Sequence, residues 1–304
     1  METIPTMYGQ DAVMRLFNFD ESLLNLDLLG LSDEEKKEID EVVKHPRGLV
    51  LMVGPTGSGK STTLYSMLNA LNTTDRKIIT LEDPIEYGIT GISQIPINTN
   101  SGGSFAEGLR SVLRLDPDVV MVGEIRDADT AKTAIQASIT GHLVLSSFHA
   151  NSTAAAFSRM IDLIGVNPIF ASSIRLVIAQ RLIRKLSDSK KARPATEAEA
   201  KYIREVLEGV PVERLSGIDL NNITLYDPVT SEEDPFGFSG RTVLMEQLIV
   251  SEEIQAFIRG DVADINTDAI EKVAKENGML TLEQKGVLAA LRGETTLEEV
   301  SRVI

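Results

Sequence analysis

Gly54-Pro55-Thr56-Gly57-Ser58-Gly59-Lys60-Ser61 fits the pattern G-x-x-x-x-G-K-[ST]. The apolar run Leu49-Val-Leu-Met-Val53 stands immediately before it, and a stretch suited to a helix, Ser61 to Asn72, follows. A strand, a glycine-rich turn and a helix in that order are the context a phosphate-binding loop requires. Glycines let successive backbone N–H groups curl round an anion, and the positive end of the helix adds to the attraction. The predicted cradle is Gly54, Pro55, Thr56, Gly57, Ser58, Gly59, Lys60, Ser61 and Thr62. In such a loop Lys60 is expected to reach the β- and γ-phosphates and Ser61 to hold Mg2+.

The flanking sequence repeats the alternation of strand and helix. Strands are predicted at Gly48–Val53, Lys77–Glu82, Val119–Gly123 and Leu143–Ser147, and helices at Ser61–Asn72, Phe105–Leu115, Asp129–Thr140 and Ala154–Ile164. Strands that are apolar almost throughout are those of a buried parallel sheet, so an α/β fold with helices covering the sheet is expected. Ile92–Ile97, beside Pro96 and Gly102-Gly103, reads as an edge strand or hairpin. Ahead of the loop, Val13–Phe17 reads as a strand, Asn18–Leu31 as a linker, and Ser32-Asp-Glu-Glu35 as a capping box opening a helix to about Lys44. Behind it, a helix is predicted from Pro168 to Leu186, then loops at Ser187–Thr196 and Asn221–Gly240. Helices follow at Glu252–Arg259, Asp264–Asn277, Thr281–Leu291 and Thr296–Ile304. Three parts are expected: 1–31, 32–186 and a mainly helical lobe over 187–304.

Composition narrows the function. The 304 residues are 42% hydrophobic and 25% charged, which is ordinary for a globular protein. The formal net charge of −15 argues against a broad nucleic-acid surface, which needs a clustered basic face. There is no cysteine, so disulfides and thiolate metal sites are excluded. No apolar run reaches the roughly 18 residues of a membrane span, and Met1-Glu-Thr-Ile-Pro5 does not open like a signal peptide. A cytoplasmic protein without direct membrane insertion is expected, docked at a membrane through partners.

A phosphate cradle alone hydrolyses nothing; it needs carboxylates for Mg2+ and for the attacking water. Two acidic segments sit at predicted strand ends, where ligands gather in open α/β sheets. One is Glu82-Asp83-Pro-Ile-Glu86. In the other, Val119-Val-Met-Val-Gly123 ends in Glu124, with Arg126 and Asp127 close behind. Two of the three histidines, His142 and His149, bracket a single apolar strand, and a histidine there can sense a γ-phosphate or orient water. His45, before Pro46 in a polar loop, reads as a surface residue.

These segments together resemble the Walker A, Asp box, Walker B and His box of the secretion ATPases, the superfamily of type II secretion and type IV pilus assembly motors. They are Gly54–Ser61, Ile79–Glu86, Leu113–Asp127 and Thr140–His149, in that order. The resemblance extends to Ile4–Arg15 upstream and to Gly278–Leu280 and Gly293–Val300 downstream, and it favours the assembly and secretion branch over retraction. It implies a RecA-like P-loop ATPase core with a partial N-terminal segment and a small C-terminal lobe. It also implies ATP and Mg2+ as ligands, a homo-hexameric ring, and an inner-membrane platform protein with other pilus or secretion components as partners. By position, Glu86 would polarise the attacking water and Glu124 would assist beside Mg2+ together with Ser61. His142 and His149 would link the γ-phosphate to neighbouring elements, and Arg15 would approach nucleotide from the N-terminal domain. The resemblance leaves the role of Arg126 open.

Two departures from the pattern shape further expectations. Members of the assembly branch often carry four zinc-binding cysteines after the core; here those regions read Leu186-Ser-Asp-Ser189 and Tyr226–Ser231, so a lobe without zinc is expected. The family's N-terminal domain is normally larger, so an N-terminally shortened form is expected. A retraction motor, a nucleotide-gated scaffold with little turnover and a conjugation-type nucleic-acid transporter are the alternatives.

Overall fold

The computed structural model describes residues 2–13 and 24–304. Its strands are β1 (Glu2–Thr6), β2 (Gly9–Val13), β3 (Gly48–Val53), β4 (Ile78–Glu82), β5 (Ser93–Pro96), β6 (Val119–Ile125), β7 (Leu143–Phe148), β8 (Ile174–Leu186), β9 (Lys191–Pro194), β10 (Thr224–Asp227) and β11 (Phe238–Ile249). Its α-helices are α1 (Asp33–Val43), α2 (Lys60–Leu71), α3 (Phe105–Val112), α4 (Ala128–Ile139), α5 (Thr153–Ile164), α6 (Glu197–Val206), α7 (Glu252–Arg259), α8 (Thr267–Glu276), α9 (Leu282–Leu291) and α10 (Leu297–Val303).

Seven strands form the central sheet in the order β11-β8-β3-β7-β6-β4-β5. Every neighbouring pair is parallel except β11 and β8. The carboxyl ends of β3, β4, β6 and β7 therefore meet along one edge, where an open α/β sheet places its ligands. Side chains alternate across the sheet. Along β3, Leu49, Leu51 and Val53 face a core closed by α3, α4, α5, α7 and α8, while Val50 and Met52 face one closed by α1 and α2. Ser32 and Glu35 form the expected capping box, which fixes the start of α1.

Pro168–Leu186, expected to be helical, is mostly the long strand β8. Its apolar residues, interrupted by Gln180 and Arg181, fit a helix by spacing alone, and short apolar runs are ambiguous in that way. Burial on both faces of the sheet, between β3 and β11, decides for the strand. Phe238–Ile249 was not expected as a strand, nor Glu197–Val206 as a helix. Residues 187–304 supply two cores. β11, α7 and α8 close one face of the main sheet, and a separate small core joins Ile203, Leu207, Leu225, Val287 and Leu291. The two short strands β9 and β10 pair with each other beside that small core. β1 and β2 form an exposed hairpin with no strand partner in the central sheet.

Candidate functional site

The glycine-rich loop joins the end of β3 to the start of α2. Gly54, Gly57 and Gly59 have φ of 148°, 79° and 87°. A Cβ on Gly54 would lie 2.6 Å from the Gln180 carbonyl oxygen, so the tight turn needs glycine there for space as well as for conformation. Gly59 is the N-cap of α2 and offers no side-chain acceptor, which leaves the first-turn N–H groups open to an anion. The Lys60 ammonium donates to the carbonyl oxygens of Gly54 at 2.8 Å and Pro55 at 2.9 Å. Burial depresses its pKa, opposed by the Glu124 charge and reinforced by Arg181.

Behind the loop lies Gln180 of β8, fully buried. Its amide nitrogen donates to the Ser58 carbonyl at 2.7 Å and its amide oxygen accepts from the Thr63 hydroxyl at 2.8 Å. One side chain thereby ties the turn to the first turn of α2. Gln180 is not among the residues expected in the site, because the segment that carries it is expected to be a helix. A polar residue inside an apolar run, the usual mark of a buried hydrogen bond, was the available signal. Next to it the buried Arg181 donates to the carbonyls of Asn151 at 2.9 Å and Val303 at 3.0 Å. It joins the loop after β7 to the last turn of the chain.

The predicted carboxylates converge on this loop across a cleft of about 660 Å³. Thr56, Gly57, Gly59, Lys60, Ser61 and Thr62 line one side; Glu82, Asp83, Glu86, Glu124, Arg126 and His149 are among the residues lining the other. Gly54, Pro55 and Ser58 shape the turn behind that lining. Glu124 is delivered by a bulge: the β6–β7 register runs Val122↔Ser146 and then Glu124↔Ser147, skipping Gly123. The Ser147 hydroxyl donates to the Gly123 carbonyl at 2.6 Å, and a Cβ on Gly123 would lie 3.1 Å from the Leu81 carbonyl oxygen. Such a bulge re-aims the side chain that follows it.

Glu124 is largely buried. Arg126 Nε lies 2.6 Å from its Oε2, and His149 Nε2 lies 2.7 Å from its Oε1. The second contact has the distance of an ion pair without the alignment of a hydrogen bond, so Oε1 is a buried acceptor without a hydrogen bond among the described residues. A hard cation fits such an oxygen. Glu82 differs: it is buried and accepts from the hydroxyls of Tyr65 and Thr80 and from the Gln94 amide, all within the protein. Asp83 accepts from the Thr99 hydroxyl.

The two histidines do not share the site within one chain. His149 follows the carboxyl end of β7 and lines the cleft. His142 precedes the amino end of the same six-residue strand, on the order of 20 Å away at about 3.3 Å per residue. Its Nδ1 lies 3.0 Å from the Ala137 carbonyl at the end of α4, and its own carbonyl accepts from Gly48 N–H. Its expected contact with the γ-phosphate is thus not made from its own chain. Bracketing a parallel strand separates two residues by the full depth of the sheet. Arg15 lies outside the described residues, as does most of the strand expected over Val13–Phe17.

The family model described as type II/IV secretion system protein matches residues 1–302. The chain belongs to this family. Among its relatives, type II secretion system protein E of Xanthomonas campestris is 41% identical over all of this chain and 52% of its own length. The type IV pilus assembly ATPase PilB of Pseudomonas aeruginosa is 40% identical over all of this chain and 51% of its own. The chain thus spans about half the length of these curated relatives. Among solved structures, the pilus retraction motor PilT with bound ADP is 28% identical, with a TM-score of 0.64 over 92% of this chain and 66% of PilT. The ATPase DotB of Legionella pneumophila has the same TM-score at 23% identity over 92% of this chain and 64% of its own, and it supports the fold. The fold is the RecA-like α/β core expected from the sequence.

Proposed function

We propose that this chain is the ATP-hydrolysing part of a hexameric motor that powers type IV pilus assembly or type II protein secretion. The observation that carries this reading is the convergence of the glycine-rich loop, Glu86 and Glu124 on one cleft at the carboxyl edge of the sheet. ATP is the substrate, its phosphates held by Gly57, Gly59, Lys60 and the open N–H groups of α2. Ser61 and Glu124 would hold Mg2+, which when bound neutralises charge building up on the phosphates. Glu86 orients the attacking water at the cleft mouth, and Glu124 with His149 registers whether the γ-phosphate is present. Arg126, paired with Glu124, tethers that carboxylate until nucleotide arrives.

The relatives at about 40% identity favour assembly or secretion over retraction, although the likeness to PilT keeps a retraction motor as the second reading. Among the described residues no helix is long and apolar enough to cross a membrane. On this reading force would pass through an inner-membrane platform protein. The apolar core around Ile203, Leu225 and Val287 supports folding of residues 187–304 without zinc.

Steady-state ATP hydrolysis by the full-length protein tests the reading against a scaffold that binds without turnover. Glu124→Gln should bind nucleotide and hydrolyse it at least about a hundredfold more slowly. A variant that loses folding and binding together would make Glu124 structural. Stimulation of turnover by DNA would point instead to a nucleic-acid transporter.

A further inference from the structure

Tyr65 of α2 is almost fully buried, yet its side chain forms part of the wall of the nucleotide cleft. Its ring meets that of Tyr87 edge to face, with centroids 4.4 Å apart and planes at 87°. Its hydroxyl donates to Glu82 Oε2 and accepts the backbone N–H of Glu86 at 3.3 Å. Burial, then the hydrogen bond to Glu82, push the phenol far above its usual range. The hydroxyl therefore stays a donor to Glu82, and its lone pair faces Glu86.

Glu82 is the centre of a wider clamp. Gln94 of β5 donates to Glu82 Oε1 at 3.1 Å and to the Tyr87 carbonyl at 3.0 Å, and its amide oxygen accepts from Ile89 N–H at 2.7 Å. The segment carrying Glu86 is thus held at Glu86 N–H by Tyr65 and at Tyr87 and Ile89 by Gln94. Tyr65 sits little more than one helical turn past Lys60, so the clamp ties the Glu86 segment to the helix that receives the phosphates.

We propose that Tyr65 is a positioning residue for Glu86, setting the rate of nucleotide hydrolysis without contributing to nucleotide affinity. The proposal rests on the reading of Glu86 as the group that orients the attacking water. The ring alone would serve packing equally well as phenylalanine. The hydroxyl is buried against a carboxylate, and what it restrains is the backbone of Glu86.

The test is a double-mutant cycle in the full-length protein, reading kcat, KM and ADP affinity. Tyr65→Phe should lower kcat at least about tenfold and leave KM and the ADP Kd within about twofold, the signature of an interaction used mainly in the transition state. In a Glu86→Gln background the same change should add less than about a twofold loss, because the group it positions is already disabled. Wild-type kcat in Tyr65→Phe, a loss confined to affinity, or full multiplication of the two losses would each overturn the proposal. Wild-type turnover in Glu86→Gln alone would overturn the reading of Glu86 itself, a result distinguishable from the others because it appears without touching Tyr65. If Tyr65→Phe does not fold, Glu82→Gln takes its place: it removes the charge that orients the phenol, and the same kcat-only loss is expected. An unchanged kcat there would count equally against the clamp.

Discussion

Lys60 and Gln180 hold the phosphate loop in opposite ways. On the proposed reading Lys60 is the cation for the ligand, and its ammonium rests on two carbonyls of its own loop. Lys60→Ala removes that cation and should cut nucleotide affinity or turnover by at least about tenfold, or roughly 1.4 kcal/mol. Nucleotide titration together with steady-state turnover measures it; wild-type values of both would remove the loop from the site. Gln180 never faces the ligand. Gln180→Ala strands the Ser58 carbonyl and the Thr63 hydroxyl in a buried place, a cost of about 1–3 kcal/mol for each group left unpaired. The variant should melt earlier and bind nucleotide more weakly, with bound nucleotide restoring part of the lost stability. A variant as stable as wild type would show that the loop holds itself. The contrast explains what could be read beforehand. Lys60 is announced by the glycine pattern around it, whereas Gln180 lies 120 positions away and becomes a neighbour only because β8 pairs with β3.

β8 is the element on which the largest difference between expectation and structure turns. Four parallel strands are legible because their sequences are mostly β-branched and aliphatic, and three of them, β3, β6 and β7, are followed directly by a helix. β11 was not, because Phe238-Ser-Gly-Arg-Thr opens on polar residues at the edge of the sheet, where one face meets water. α6 carried its own signal, the capping box of Thr196 and Glu199, inside a stretch that otherwise reads as polar loop. β8 also anchors α10. Glu299 is buried and accepts from Arg184 Nη2 at 2.7 Å, from Arg302 and from the Arg184 backbone N–H. Burial raises the Glu299 carboxyl, but the hydrogen bonds from Arg302 and Arg184 outweigh it and hold it at about 2. A carboxylate depressed in the folded state contributes stability that is complete above its unfolded pKa, near 4.5, and is lost as pH falls through about 2. Half-exposed arginines screen the pair, so about 1–2 kcal/mol is expected from it. Wild-type protein should therefore lose that increment between pH 4.5 and 2 in denaturant titrations. Glu299→Gln should be less stable at neutral pH and show a flatter decline across the window; equal slopes would rule the pairing out as a source of acid sensitivity.

At the scale of the whole molecule, the cleft is walled by the phosphate loop on one side and by carboxylates and a histidine on the other. Its P-loop, acidic and histidine walls all come from residues 56–149, and the carboxyl edge of the sheet that carries them is continuous from β3 to β4. Catalysis of phosphoryl transfer needs positive charge against the equatorial oxygens as well as Mg2+. Lys60 supplies one cation from within the loop, and Arg126 is engaged with Glu124. At the other extreme of the chain, Met7 and Tyr8 at the tip of the β1–β2 hairpin are 88% and 93% exposed. A lone two-stranded hairpin is marginal in water, so this one is expected to be supported by contacts in an assembly. Arg15 follows it by two residues. On the proposed hexameric reading, Arg15 would reach a neighbouring subunit's phosphates, a contact that would grow as charge develops. Arg15→Ala in a preparation verified as hexameric should lower turnover at least about tenfold while nucleotide affinity stays within about threefold, the pattern of transition-state stabilisation rather than binding. Mixing Arg15→Ala subunits with Lys60→Ala subunits sharpens the test. If the arginine acts between subunits, mixed rings regain part of the turnover that neither variant has alone, because some interfaces then pair an intact loop with an intact arginine. If it acts within its own chain, no mixture recovers activity. Full turnover in Arg15→Ala hexamers would remove the residue from the site altogether.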